Sequence, residues 1–103
     1  MNNKSNKAIV ISPLDNVATA IKKLDVGETV QVKMKGSSKS VRIKNPIPFG
    51  HKFALRKIEK NRPVMKYGET IGVSTTLVEE GQHVHTHNLQ SMRGKKKSHV
   101  KTT

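Results

Sequence analysis

Glycine and proline interrupt this chain so often that it has little room for long helices. From Gly27 onward they recur at Gly36, Pro46, Pro48, Gly50, Pro63, Gly68, Gly72 and Gly81. Between them lie short runs in which apolar and polar residues alternate, the pattern of half-buried strands joined by tight turns. Ala8–Ile11 is an apolar run that reads as a buried strand. Val30, Val32 and Met34 alternate with Gln31, Lys33 and Lys35, and the alternation returns at Val41 and Ile43 after Gly36-Ser37-Ser38-Lys39, which predicts a hairpin with a basic outer face. Residues 45–50 are a connection, because Pro46 and Pro48 bar regular pairing. Lys52–Ile58 is a strand with Phe53 and Leu55 inward. Val64–Lys66 and Thr70–Ser74 are strands around a turn at Tyr67-Gly68-Glu69, and His83–Leu89 is the last strand.

One stretch reads differently. Ser12-Pro13-Leu14-Asp15 carries helix-start chemistry: a capping hydroxyl or carboxylate, a proline suited to the first turn, and an acid near the positive helix end. Val17, Ala18, Ile21 and Leu24 follow at helical spacing and Gly27 closes the element. The expectation is a mainly β domain of short strands with one short helix, and no internal repeat is evident along the chain.

A length of 103 residues suits one domain. Three aromatic residues leave the core to Val, Ile, Leu and Met, and zero cysteines exclude disulfides and thiolate metal sites. No run approaches the roughly 20 apolar residues of a membrane span, and the first seven residues carry no apolar stretch of a secretory signal; the expected location is cytoplasmic. The net charge of +13 is concentrated at the ends: residues 1–7 and 93–103 hold +7 of it, against +6 for residues 8–92. The expected organisation is a flexible basic N-terminus over residues 1–7, a domain over 8–90 and a flexible basic tail over 91–103. Lys95-Lys96-Lys97 could meet phosphate backbones, but no stacking aromatics or groove-reading element accompanies them, so nucleic acid is not the expected partner.

The chemistry-bearing residues gather in the second half. His83, His85 and His87 alternate, so on an extended strand their imidazoles share one face with neighbouring Cα atoms about 7 Å apart. Two of them could hold a metal while the third supports a ligand, or all three could form the polar face of an edge strand. Gly50-His51-Lys52 places an acid–base group and an ammonium after a glycine, or is simply a turn with two surface residues. Lys66-Tyr67-Gly68 could bind an anion beside a turn, with Tyr67 otherwise a core residue. Asn88 could anchor a carbonyl or end the last strand. No nucleophile triad, phosphate loop, dinucleotide fingerprint or catalytic carboxylate pair is present.

Asp15-Asn16-Val17-Ala18, Gly50-His51-Lys52-Phe53-Ala54-Leu55, Lys66-Tyr67-Gly68-Glu69, Ile71-Gly72 and Gly81-Gln82-His83-Val84-His85-Thr86-His87-Asn88-Leu89 together resemble the SAF domain of altronate and galactarate dehydratases. The resemblance implies a compact β-clip fold and the role of a small subunit beside a separate large dehydratase subunit, which would meet it through the basic hairpin face. A similar small subunit occurs in sulfolactate sulfo-lyase, and a non-catalytic module that binds sugar acids or nucleic acid is the remaining alternative. The family chemistry is loss of water from a hydroxylated sugar acid with a divalent metal, iron in the relatives, held on this chain or mainly by the partner. By matching position, His51, His83 and His85 are the expected catalytic residues, with His83 and His85 also the metal ligands. Lys52, Lys66 and Asn88 are the expected substrate-binding residues.

Overall fold

The computed structural model describes residues 7–34 and 36–91. Nine strands follow in chain order: β1 (Ala8–Ile9), β2 (Val17–Ala20), β3 (Thr29–Met34), β4 (Ser37–Arg42), β5 (Lys52–Ala54), β6 (Pro63–Lys66), β7 (Glu69–Ser74), β8 (His83–Val84) and β9 (Leu89–Ser91). Six make one sheet in the order β4-β3-β1-β2-β5-β8, and three make a second in the order β6-β7-β9. The mainly β expectation holds. Among the described residues no helix is long and apolar enough to cross a membrane. The expected basic ends lie outside the described residues, apart from Lys7 and Ser91.

The expected helix is absent from the described residues, and the reason is tertiary. Ser12 and Asp15 do bond as a helix start would: the Asp15 N–H donates to Ser12 O at 3.0 Å, and the Ser12 N–H donates to Asp15 Oδ2 at 3.2 Å. The chain then straightens into β2, which pairs with β1 on one side and β5 on the other. Ala18 and Ala20 enter one core cluster while Val17 enters another, a two-residue alternation that a helix would not give. Leu24 sits further on in an isolated bridge with Ile47.

The β3–β4 hairpin is present with a shorter connection than expected. Met34 pairs with Ser37, so Ser37, Ser38 and Lys39 join the strand. The expected strand over 52–58 stops at Ala54. The last expected strand is divided. β8 ends at Val84, residues 86–88 form a turn, and β9 resumes at Leu89 in the other sheet.

A repeat that the sequence does not advertise runs through the backbone. Four segments each carry a buried aliphatic residue, a position of positive φ three residues later, and another buried residue three beyond that. They are Leu24-Gly27-Val30, Ile47-Gly50-Phe53, Ile58-Asn61-Val64 and Val78-Gly81-Val84, with φ of 93°, 85°, 66° and 87° at the middle position. The segments dock in pairs through the bridges Leu24–Ile47 and Ile58–Val78. In each segment the N–H of the positive-φ residue donates across the pair at 2.8 Å: Gly27 to Ile43 O, Gly50 to Ala20 O, Asn61 to Ser74 O and Gly81 to Ala54 O. Only an aliphatic side chain and a left-handed residue are needed for this plan, so residue identity barely repeats.

Two core clusters result. The larger contains Leu24, Val30, Val32, Val41, Ile43, Ile47, Phe53 and Leu55. The smaller contains Val17, Ala54, Ile58, Val64, Val78 and Val84, with Ile71 and Leu89 against it, and so joins the two sheets.

Candidate functional site

Pairing of β5 with β8 sets the exits of the second and fourth repeated turns side by side, with Phe53 opposite His83 and Lys52 opposite Val84. His51 leaves the second turn immediately before β5, and its carbonyl accepts from Ala20 N–H at 2.9 Å. His83 opens β8, where its N–H donates to Asn45 Oδ1 at 2.9 Å. A tight loop follows, closed by donation from Asn88 N–H to His85 O at 3.0 Å. The loop turns His85 back over the sheet edge.

The result is a stack of imidazoles. His51 Nδ1 lies 2.9 Å from His83 Nε2, a hydrogen bond that requires a proton on one nitrogen and a lone pair on the other. The His51 and His85 rings stack with centroids 4.0 Å apart and planes 10° apart. The ligand nitrogens of His51, His83 and His85 all lie within 4.8 Å of one another. The trio expected from alternation was His83, His85 and His87. In the fold His51 takes the third place, and His87 packs on the outer side of His83 with centroids 5.2 Å apart. The break at Val84 leaves His87 beside His83 but outside the group of converging nitrogens.

The Lys52 side chain is half-buried and, among the described residues, its ammonium has no hydrogen bond or ion pair. Burial lowers its pKa and the charge of Lys66 lowers it further. Burial also lowers His83, to about 4, with His87, His51, His85 and Lys52 adding to the effect in that order. His85 is lowered by burial, then by His51, Lys52 and His87. His83 is therefore neutral near pH 7, with a lone pair for a proton or a metal. The Lys66 ammonium sits 4.7 Å above the ring centroid of Tyr67, whose ring is half-exposed rather than in the core.

Asn88 is buried, and both ends of its amide bond the backbone. Its Oδ1 accepts from His85 N–H at 2.9 Å and its Nδ2 donates to His83 O at 2.9 Å. Its structural part is thus to shape the loop that carries His83 and His85. Asn45 does a similar job from the other side, and nothing in the Asn45-Pro46 connection marked it beyond the turn preference of asparagine. Asp15 was legible only as a helix cap, although its carboxylate bonds Gly68 N–H at 2.8 Å.

The donor set suits a divalent ion of intermediate softness, since it offers three imidazole nitrogens and includes no carboxylate. Three imidazole nitrogens within 4.8 Å of one another can converge on one such ion once the His51–His83 hydrogen bond is given up. The residues present fit such an ion, with positions left over for ligands from elsewhere.

Comparison with known proteins shows the family to which the chain belongs. A family model described as the altronate/galactarate dehydratase SAF domain matches residues 6–92. Altronate dehydratase of Escherichia coli strain K12 is 40% identical over 83 residues, covering 81% of this chain and 16% of that protein. Altronate dehydratase of Bacillus subtilis strain 168 is 34% identical over 83 residues, with the same coverage of 81% and 16%. The (2R)-sulfolactate sulfo-lyase subunit alpha of Paracoccus pantotrophus is 46% identical over 50 residues, 48% of this chain and 75% of that subunit. The chain thus spans about one sixth of the altronate dehydratases it matches.

Proposed function

Because the chain belongs to the altronate/galactarate dehydratase SAF domain family, we propose that it is the small subunit of a sugar-acid dehydratase and works with a separate large catalytic subunit. The observation that carries this is the cluster itself: His51, His83 and His85 within reach of Lys52, with no carboxylate in the group. It is a rim of imidazoles and ammonium groups suited to half of an elimination site. The small share of the altronate dehydratases that the chain covers supports the need for a second, larger part. A cytoplasmic location goes with this role.

Dehydration of a hydroxy acid removes a proton from the carbon beside the carboxylate and hydroxide from the next carbon, which leaves as water once protonated. Lys52 and Lys66 bind the carboxylate, and their positive charge stabilises the electron density that builds on it as the proton leaves. With no ion bound, His51 and His83, linked across 2.9 Å, can pass the carbon-bound proton on to the leaving oxygen; with His83 given to an ion, His51 is the remaining base. Asn88 and Asn45 hold this pair in place through the backbone. A divalent ion, iron by family, held by His83 and His85 with His51 beside them and completed by the large subunit, would polarise the leaving hydroxyl.

The same apparatus would serve a sulfo-lyase, in which sulfite leaves in place of water. The match to a sulfo-lyase subunit of which this alignment covers 75% favours that as the second reading. The test is reconstitution. The purified chain with Fe²⁺ should not turn over altronate, galactarate or sulfolactate, and adding the large subunit should restore activity towards one of them. Substantial turnover by the chain alone would overturn the two-subunit reading.

A further inference from the structure

Asp15 is a buried carboxylate for which the proposed chemistry has no use. It is 2% exposed, and its two oxygens accept backbone N–H bonds from different parts of the molecule: Oδ1 from Gly68 at 2.8 Å and Oδ2 from Ser12 at 3.2 Å. Its neighbour Asn16 is equally committed. Asn16 Oδ1 accepts from Met65 N–H at 2.7 Å, its Nδ2 donates to Pro63 O at 3.0 Å, and its backbone N–H donates to Met65 O at 3.2 Å. All but the Ser12 bond cross from the loop before β2 to the β6–β7 hairpin. That hairpin belongs to the three-stranded sheet, whereas the imidazoles and Lys52 stand on the six-stranded one.

The hairpin is shaped to receive this contact. Lys66 pairs with Glu69, leaving a two-residue turn in which Tyr67 (φ 57°) and Gly68 (φ 78°) are both left-handed. A turn of that kind leaves the N–H of its second residue unpaired. Gly68 gives that N–H to Asp15. The strand register shifts between Val64 and Met65, beside the N–H that Asn16 takes. A carboxylate meeting two N–H donors makes charge-assisted bonds, which offset the cost of its burial.

We propose that Asp15 and Asn16 form a latch that fixes the Lys66 turn to the start of β2, the strand paired with the one that carries Lys52, making Asp15 a positioning residue for the acid-binding lysines. The Asp-Asn pair of the first family-like block acquires a role by this route. Lys66 is the residue through which the latch acts: it precedes the latched turn, and its ammonium is held over Tyr67. A loose hairpin would leave Lys52 as the sole fixed cation.

This inference rests on the proposed function, and its test separates the two. In the reconstituted complex, assayed with altronate, galactarate and sulfolactate in parallel, Asp15→Asn raises KM about tenfold with kcat within about twofold. Lys66→Met raises KM similarly, and the double variant is no worse than Lys66→Met alone. Gly68→Ala, whose added carbon meets only the Ser12 side chain at 3.4 Å, tilts the turn from outside the core and shows the same masking by Lys66→Met. Additive losses in the double variants, or a fall in kcat at constant KM, overturn the latch. Absence of activity on all three acids removes the functional reading instead, and the latch is then read from amide exchange. Gly68 and Met65 should be protected in the free chain and exchange at least about tenfold faster in Asp15→Asn; unchanged exchange overturns it.

Discussion

His83 stands among three imidazoles and a lysine, and each of them disfavours its charged form. Its pKa of about 4 in the folded chain lies below the ordinary imidazole value of 6.5, so the unfolded chain binds the extra proton first as pH falls. Its contribution is therefore neutral above about pH 6.5, and the folded state loses stability as pH drops from there towards 4. The thermal midpoint should fall over that window, and His83→Gln should flatten the fall while leaving the midpoint near pH 7.5 little changed. An equally steep fall in His83→Gln would show that the strain of protonation resides elsewhere. The histidines, Lys52 and Lys66 were legible as candidates because imidazole and ammonium groups are costly to gather without a purpose. Alternation alone grouped His87 with His83 and His85; His51 was joined to those two by the family resemblance, and the physical reason the fold favours it, β8 stopping at Val84, was not legible. Asn45 and Asn88 work through backbone bonds that only the fold reveals.

At the scale of elements, most strands were visible in period-two alternation and in glycine and proline punctuation. The helix expectation failed at Val17–Leu24 because Val17, Ala18, Ile21 and Leu24 satisfy a helical spacing while neighbouring strands satisfy the same backbone better. β2 has partners on both sides, and that tertiary pairing outweighs a local helix start. The fourfold turn was hidden for another reason: it is written in φ angles, with Asn61 standing where the other three copies have glycine. The four copies should nevertheless respond differently to substitution. A Cβ on Gly81 would fall 2.0 Å from Arg42 O, at φ 87°. Gly81→Ala should therefore cost at least about 2 kcal/mol in urea unfolding. Gly27→Ala meets no atom within 4 Å and bears only the left-handed penalty, about 1 kcal/mol. Asn61→Gly should change stability by less than about 0.5 kcal/mol, because Asn already tolerates that conformation. Equal losses at Gly81 and Gly27 would show that close packing of the fourth turn against Arg42 is unimportant.

For the molecule as a whole, the interior is closed and the site is open. Seventeen apolar residues are buried in the described chain, and no buried side-chain polar atom among the described residues lacks a partner. The two clusters share the seam between the sheets, where Val17 and Ala54 from one sheet meet Val64 from the other. Nothing in that interior waits for another subunit to complete it. The imidazole and lysine groups, by contrast, are half-exposed at one rim, and no carboxylate completes their donor set. Folding and activity should then separate cleanly. The isolated chain should unfold in one cooperative transition with a heat-capacity change of about 1 kcal/mol/K, ordinary for a domain of this size. It should bind little of a dye that reports loosely packed apolar surface, while remaining inactive until the large subunit is added. A broad transition with strong dye binding, sharpened only by the large subunit, would mean that the partner is part of the fold. A sharp transition unchanged by the partner, together with activity that requires it, is the expected outcome, because the contacts that build the core and the groups proposed to face the partner are different residues.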